Sequence, residues 1–103
     1  MLPEGIIELN DMIEVQSEAM VSRTLIQGNG GTVTLFAFDE EQSLSEHTTP
    51  FDAMVQIIKG NMEVVLRGEE HSIEAGRCII MPANVPHSLK ALEPSKMLLT
   101  MIR

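Results

Sequence analysis

The stretch Met54-Val55-Gln56-Ile57-Ile58-Lys59-Gly60-Asn61-Met62-Glu63-Val64-Val65-Leu66-Arg67 decides the fold. Two short runs of aliphatic and β-branched residues flank Lys59-Gly60-Asn61, and residues 62–67 alternate apolar with polar in strand period. Glycine and asparagine tolerate the positive φ that a tight turn demands, so the spacing predicts a β-hairpin here.

Working outward, the same alternation of short strands and turn signals recurs. Upstream, residues 20–26 run into Gly28-Asn29-Gly30-Gly31 and return as 32–38; Asp39-Glu40-Glu41-Gln42 is a polar loop, and Pro50 breaks the next segment. Downstream, Gly68-Glu69-Glu70 reads as a turn, and Gly76 with Pro82-Ala83-Asn84-Val85-Pro86 brackets a short apolar strand at 77–81. Turns at roughly eight- to twelve-residue intervals with no helical period predict an all-β fold, a sandwich or a small antiparallel barrel. A chain of 103 residues holds one core, so residues 1–103 read as a single domain in which 1–19 form an N-terminal arm.

Composition narrows the partners. Hydrophobic residues make up 44% and charged residues 21%, enough apolar surface to fold. Fifteen acidic against seven basic residues give a net charge of −8, which repels nucleic acid and anionic lipid. No apolar run is long enough to span a bilayer, and the start Met1-Leu2-Pro3-Glu4 lacks a signal peptide's basic flank; a cytoplasmic location is expected. Three Phe, no Tyr and no Trp beside eight Met argue against stacking on a sugar or a base.

Several strands are apolar on both faces: Met54 and Ile58 alternate with Val55 and Ile57, and Met97, Leu99 and Met101 alternate with Leu98 and Ile102. One face lines the interior and the other needs cover, so a homodimer is expected. The single cysteine, Cys78, has no partner for an internal disulfide and reads as a small hydrophobe in a buried strand.

The candidate chemistry lies in the histidines. His87 shares a strand face with Leu89 and Ala91, which turns its imidazole inward, while His47 shares a face with Thr49 just before the Pro50 break. Two inward imidazoles from strands distant in sequence can meet inside one barrel. His71, among Glu69, Glu70 and Glu74, reads as a surface residue.

The segment 41–91 resembles the two-motif signature of the cupin superfamily. In the first motif, spanning 41–60, Glu41 stands at the opening glycine, His47 and Thr49 at the two histidines, Ala53 at the glutamate and Gly60 at the closing glycine. The second, spanning 76–91, falls on Gly76, Pro82, Asn84 in place of glycine, His87, and Ala91 in place of asparagine. The resemblance implies a double-stranded β-helix, or jelly roll, with a metal held by three imidazoles and one carboxylate at the motif positions. Of that set His47 and His87 remain, so the implied cofactor is a divalent transition metal (iron, manganese, nickel or zinc) with an incomplete ligand set. Asp52, Gln56 and Glu46 are nearby in sequence; alternation sets Gln56 on the face opposite Ala53, and Glu46 opposite His47.

The reading favoured by these residues is a small-molecule pocket inside the barrel, formed by His47, Thr49, Gln56, His87, Phe36, Phe38 and Met81. Two alternatives stand beside it: a cupin-type isomerase, decarboxylase or dioxygenase using His47 and His87, and a non-catalytic sensor or interaction module. The two imidazoles can also be interior histidines that satisfy one another.

Overall fold

The computed structural model describes residues 4–103. After a short 3₁₀ turn at Leu9–Asp11, nine strands follow: β1 (Met20–Gly28), β2 (Gly31–Phe38), β3 (Ser43–His47), β4 (Asp52–Lys59), β5 (Asn61–Leu66), β6 (Glu69–Glu74), β7 (Cys78–Met81), β8 (His87–Ala91) and β9 (Ser95–Ile102). They form two antiparallel sheets, one of five strands in the order β1-β2-β9-β4-β7 and one of four in the order β3-β8-β5-β6. The fold is a jelly roll of two facing sheets whose edges do not hydrogen-bond together, so the barrel expected from the turn spacing is a flattened, open one.

The hairpin expected across Lys59-Gly60-Asn61 does not form. β4 pairs with β7 and β9, while β5 pairs with β6 and β8, so this turn carries the chain from one sheet to the other. Gly60 has φ 90°, and a Cβ there would lie 2.6 Å from the Pro94 carbonyl oxygen, a spacing real side chains do not adopt. The crossover is that tight because Ser95 closes it: its hydroxyl oxygen accepts from Asn61 N at 3.1 Å. The true hairpin joins β5 to β6 through Arg67 and Gly68, both at positive φ as a type I′ turn requires. Residues 69–74, read from sequence as a turn and its flank, therefore form the edge strand β6, with His71 half-buried opposite Val64. The β1–β2 hairpin turns at Asn29-Gly30, as expected.

The core lies between the sheets. Ala53, Val55 and Ile57 of β4 and Met97 of β9 face Met62 and Val64 of β5 and Leu89 and Ala91 of β8, with Phe38 fully buried among them. Cys78 departs from expectation. β7 is the outer edge of its sheet and Cys78 pairs with Gln56 on the outward face, so the thiol is exposed.

The outward face of the five-stranded sheet is partly covered by the chain itself. Leu35, Ala37 and Lys96 are outward-facing yet buried, beneath the segment before β1. Lys96 Nζ donates to the Asn10 carbonyl at 2.6 Å, and Arg23 donates to that of Met12 at 3.1 Å. A buried ammonium without such an acceptor would be strongly destabilising. The cover ends there: Met54, Ile80, Thr100 and Ile102 form an apolar groove with Ile80 57% and Ile102 60% exposed.

Candidate functional site

Two local irregularities build the site. The first is a β-bulge. Leu44 of β3 pairs with Leu89 and His47 with His87, so three steps on β3 match two on β8. Strict alternation from Leu44 would place Glu46 opposite His87; the extra residue substitutes the imidazole. The second is the turn before β8, where Asn84 adopts φ 65° and donates its backbone N–H to the Thr49 carbonyl at 2.7 Å. That bond ties the loop after β3 to the loop before β8 and brings the two motif regions together. Glu41 and Asn84, the residues in place of glycines, both sit at positive φ, 71° and 65°.

The two imidazoles meet. His87 Nε2 lies 3.1 Å from His47 Nε2, the ring centroids are 4.3 Å apart and the rings cross at 68°. Each ring is oriented from behind, His47 Nδ1 donating to the Ser45 carbonyl at 2.7 Å and His87 Nδ1 to that of Val85 at 3.0 Å. His87 is buried, 4% exposed. His47, expected to point inward, is an exposed rim residue; the bulge aims its ring at His87 from the edge strand of its sheet, which no other described strand extends.

Beneath the pair is a small cavity of about 40 Å³. His47, Thr49, Met81 and His87 line it. Its remaining walls are Leu44, Ala53, Val55, Leu89, Met97, Leu99 and Met101; the sequence reading set Ala53 at a motif position and Leu89 on the His87 face, but named none of the seven as pocket residues. No lining residue carries a formal charge. Three expected pocket residues are elsewhere. Gln56 faces outward beside Cys78. Phe38 is fully buried in the core, and Phe36 stacks on it at 6.0 Å. Phe36 and Phe38 pack in or against the core without lining the cavity.

The donor set does not fit a tightly held metal. Thr49 Oγ1 donates to the Phe51 carbonyl at 3.1 Å, and Ala53 has no donor atom. Asp52, the nearest carboxylate in sequence, accepts the backbone N–H of Ala83 at 2.9 Å and borders the outward groove. Neither Glu46 nor Gln56 reaches the cavity. Among the described residues no group of three His, Cys, Asp or Glu converges. Two imidazoles alone offset little of a divalent ion's dehydration.

Comparisons agree with this architecture. The chain superimposes on a conserved protein of unknown function from Streptococcus pyogenes with a TM-score of 0.94 at 33% identity, covering 100% of this chain and 90% of that one. A cupin superfamily protein from Desulfitobacterium hafniense matches at TM-score 0.92 and 22% identity, over 99% of this chain and 94% of the other. A cupin 2 conserved barrel domain protein from Leptotrichia buccalis matches at 0.91 and 28%, over 94% of this chain and 47% of that one. No curated protein matches the sequence. The model of the cupin domain family matches residues 34–103, which include His47, His87 and seven complete strands, β3 to β9; the chain belongs to the cupin family.

Proposed function

We propose that this cupin binds a small, largely aliphatic molecule in the cavity beneath His47 and His87. One observation carries the reading: two side chains 40 residues apart place their Nε2 atoms 3.1 Å from each other at the mouth of an otherwise apolar cavity. A fold free to close that mouth with aliphatic residues holds a polar pair there instead. The aliphatic and thioether walls suit a flexible hydrocarbon better than a sugar ring. The exposed Cys78 thiol is compatible with a reducing, cytoplasmic setting.

The test uses the methionines as reporters. With [¹³C-methyl]methionine, small aliphatic probes are expected to shift Met81, Met97 and Met101, which line the cavity, and to leave Met20 and Met54 unmoved. Shifts spread evenly over all the methionines refute a defined pocket.

We propose in addition that a second copy covers the groove formed by Met54, Ile80, Thr100 and Ile102. At a net charge of −8 two copies repel, and this groove, whose described lining carries a single charged residue, Asp52, is where that repulsion subtracts least from apolar burial. Sedimentation is expected to give a dimer that the Ile80→Glu, Ile102→Glu double variant dissociates. A wild-type chain sedimenting as a monomer at about 100 μM, a working concentration well above a micromolar Kd, overturns it.

A further inference from the structure

The two imidazoles have one hydrogen-bonding state that their surroundings allow when neutral. Backbone carbonyls only accept, so both Nδ1 atoms, held at 2.7 Å and 3.0 Å from the Ser45 and Val85 oxygens, must carry the ring proton. Each Nε2 is then a bare acceptor, and the two acceptors stand 3.1 Å apart with no hydrogen between them. For the buried ring of His87 this is an unmet polar atom at the cavity wall, the kind of group that an ordered water or a ligand satisfies. The rings are not aligned head to head. A ring nitrogen stands outside its own centroid, so head-on rings would hold their centroids much farther apart than their nitrogens; here the separations are 4.3 Å and 3.1 Å. At least one lone pair is therefore inclined away from the other nitrogen, and because neither nitrogen carries a hydrogen a third atom is needed to satisfy both.

We infer that the cavity mouth is a double-acceptor site whose ligand presents a nitrogen with at least two N–H donors, a small primary amine bound as its ammonium with a short aliphatic tail. The inference rests on the cavity-binding reading and specifies its ligand. A carboxylate brings lone pairs toward lone pairs, and no Lys or Arg lines the cavity to hold it. An alcohol has one hydrogen for two acceptors. An ammonium has three: two reach the imidazoles, and the third stays with water at the rim, where the exposure of His47 leaves the cation partly hydrated. The acidic chain attracts it over distance. The tail then lies against Val55, Met81, Leu99 and Met101, and the small void limits it to a few carbons.

The experiment titrates untagged protein, stripped of metal by a chelator, with n-propylammonium, n-propanol and propionate at pH 8. The Met81, Met97 and Met101 methyls and the imidazole ¹⁵N resonances report binding. Propylammonium is expected to saturate at about five- to tenfold lower concentration than either neutral or anionic probe, the effect of one further net hydrogen bond. His47→Ala, chosen because that ring is exposed and its loss leaves the core intact, is expected to erase the preference while the methyls still respond. Propionate binding as well as propylammonium, a preference that survives His47→Ala, or an Nε2–H tautomer on either free ring each overturns the donor inference and leaves the cavity reading in place. No methyl response to any probe overturns both.

Discussion

Replacing Gly60 by Ala tests why the chain crosses between sheets at that residue. At φ 90° an L side chain carries the left-handed penalty, about 1–2 kcal/mol. The new Cβ would also lie 2.6 Å from the Pro94 oxygen and 2.9 Å from Ser95 Cα, both backbone atoms that cannot rotate away. Moving that segment strains the Ser95 hydroxyl, which accepts from Asn61 N at 3.1 Å and donates to the Glu93 carbonyl at 2.7 Å; each such bond contributes about 1 kcal/mol. The lower entropy of an unfolded alanine returns about 0.5–1 kcal/mol. The net loss is about 3 kcal/mol, a large share of the 5–15 kcal/mol expected for a domain of this kind. Gly68→Ala is the control, because its φ is 81° but no atom lies within 4 Å of the added carbon. It isolates the backbone penalty less the entropy return, about 1 kcal/mol net. Urea titrations followed by circular dichroism give both values. If the two variants fall within about 0.5 kcal/mol of each other, the close approach of β9 to the crossover contributes nothing and the reasoning fails.

Three further outcomes follow from the same geometry. Glu41 sits at φ 71°, so Glu41→Gly is expected to be about 1 kcal/mol more stable than Glu41→Ala, both having lost the exposed ion pair to Lys90; equal stabilities in urea would deny the strain. The backbone N–H groups of Glu18 and Glu40 hold the Asp39 carboxyl below the usual aspartate range. A depressed folded value contributes stability that is full above the unfolded value and is lost as pH falls through the folded one, so the stability gap between wild type and Asp39→Ala should narrow as pH falls below the usual aspartate range of about 4. A gap unchanged by acid removes the argument. Cys78 is exposed on edge strand β7, and an aromatic disulfide reagent is expected to modify it in the native protein at a rate close to that in denaturant. Modification only after unfolding, in the dissociated Ile80→Glu, Ile102→Glu variant as well, would place β7 elsewhere.

Much of the architecture was legible along the chain because strand period and turn chemistry are local. Alternation at 62–67 and 87–91 placed Met62, Val64, Leu89 and Ala91 inward, and Asn29-Gly30 closed its hairpin. The Gly60 turn misled because glycine reports a positive φ and not which strand pairs with which; a hairpin and a sheet-to-sheet crossover both need one. Cys78 misled for a related reason. Its neighbours Ile79 and Ile80 are apolar, but burial depends on whether another strand or layer lies beyond, and β7 is an edge.

The candidate site divides along the same line. Strand period and turn spacing determined an all-β fold, and the resemblance to the cupin motifs implied a jelly roll with His47 and His87 at its two motif regions and Thr49 and Ala53 where further ligands would stand. Their meeting was decided in three dimensions, by a one-residue bulge that puts His47 rather than Glu46 opposite His87 and by two carbonyls that set the ring protons. The placement of Phe36 and Phe38 away from the cavity was decided there too, whereas alternation had already set Gln56 on the face opposite Ala53. A bulge leaves no mark in period two, and a hydrogen bond to a carbonyl depends on backbone positions. Patterning therefore reaches the face a side chain occupies, while packing sets its partner across the sheet.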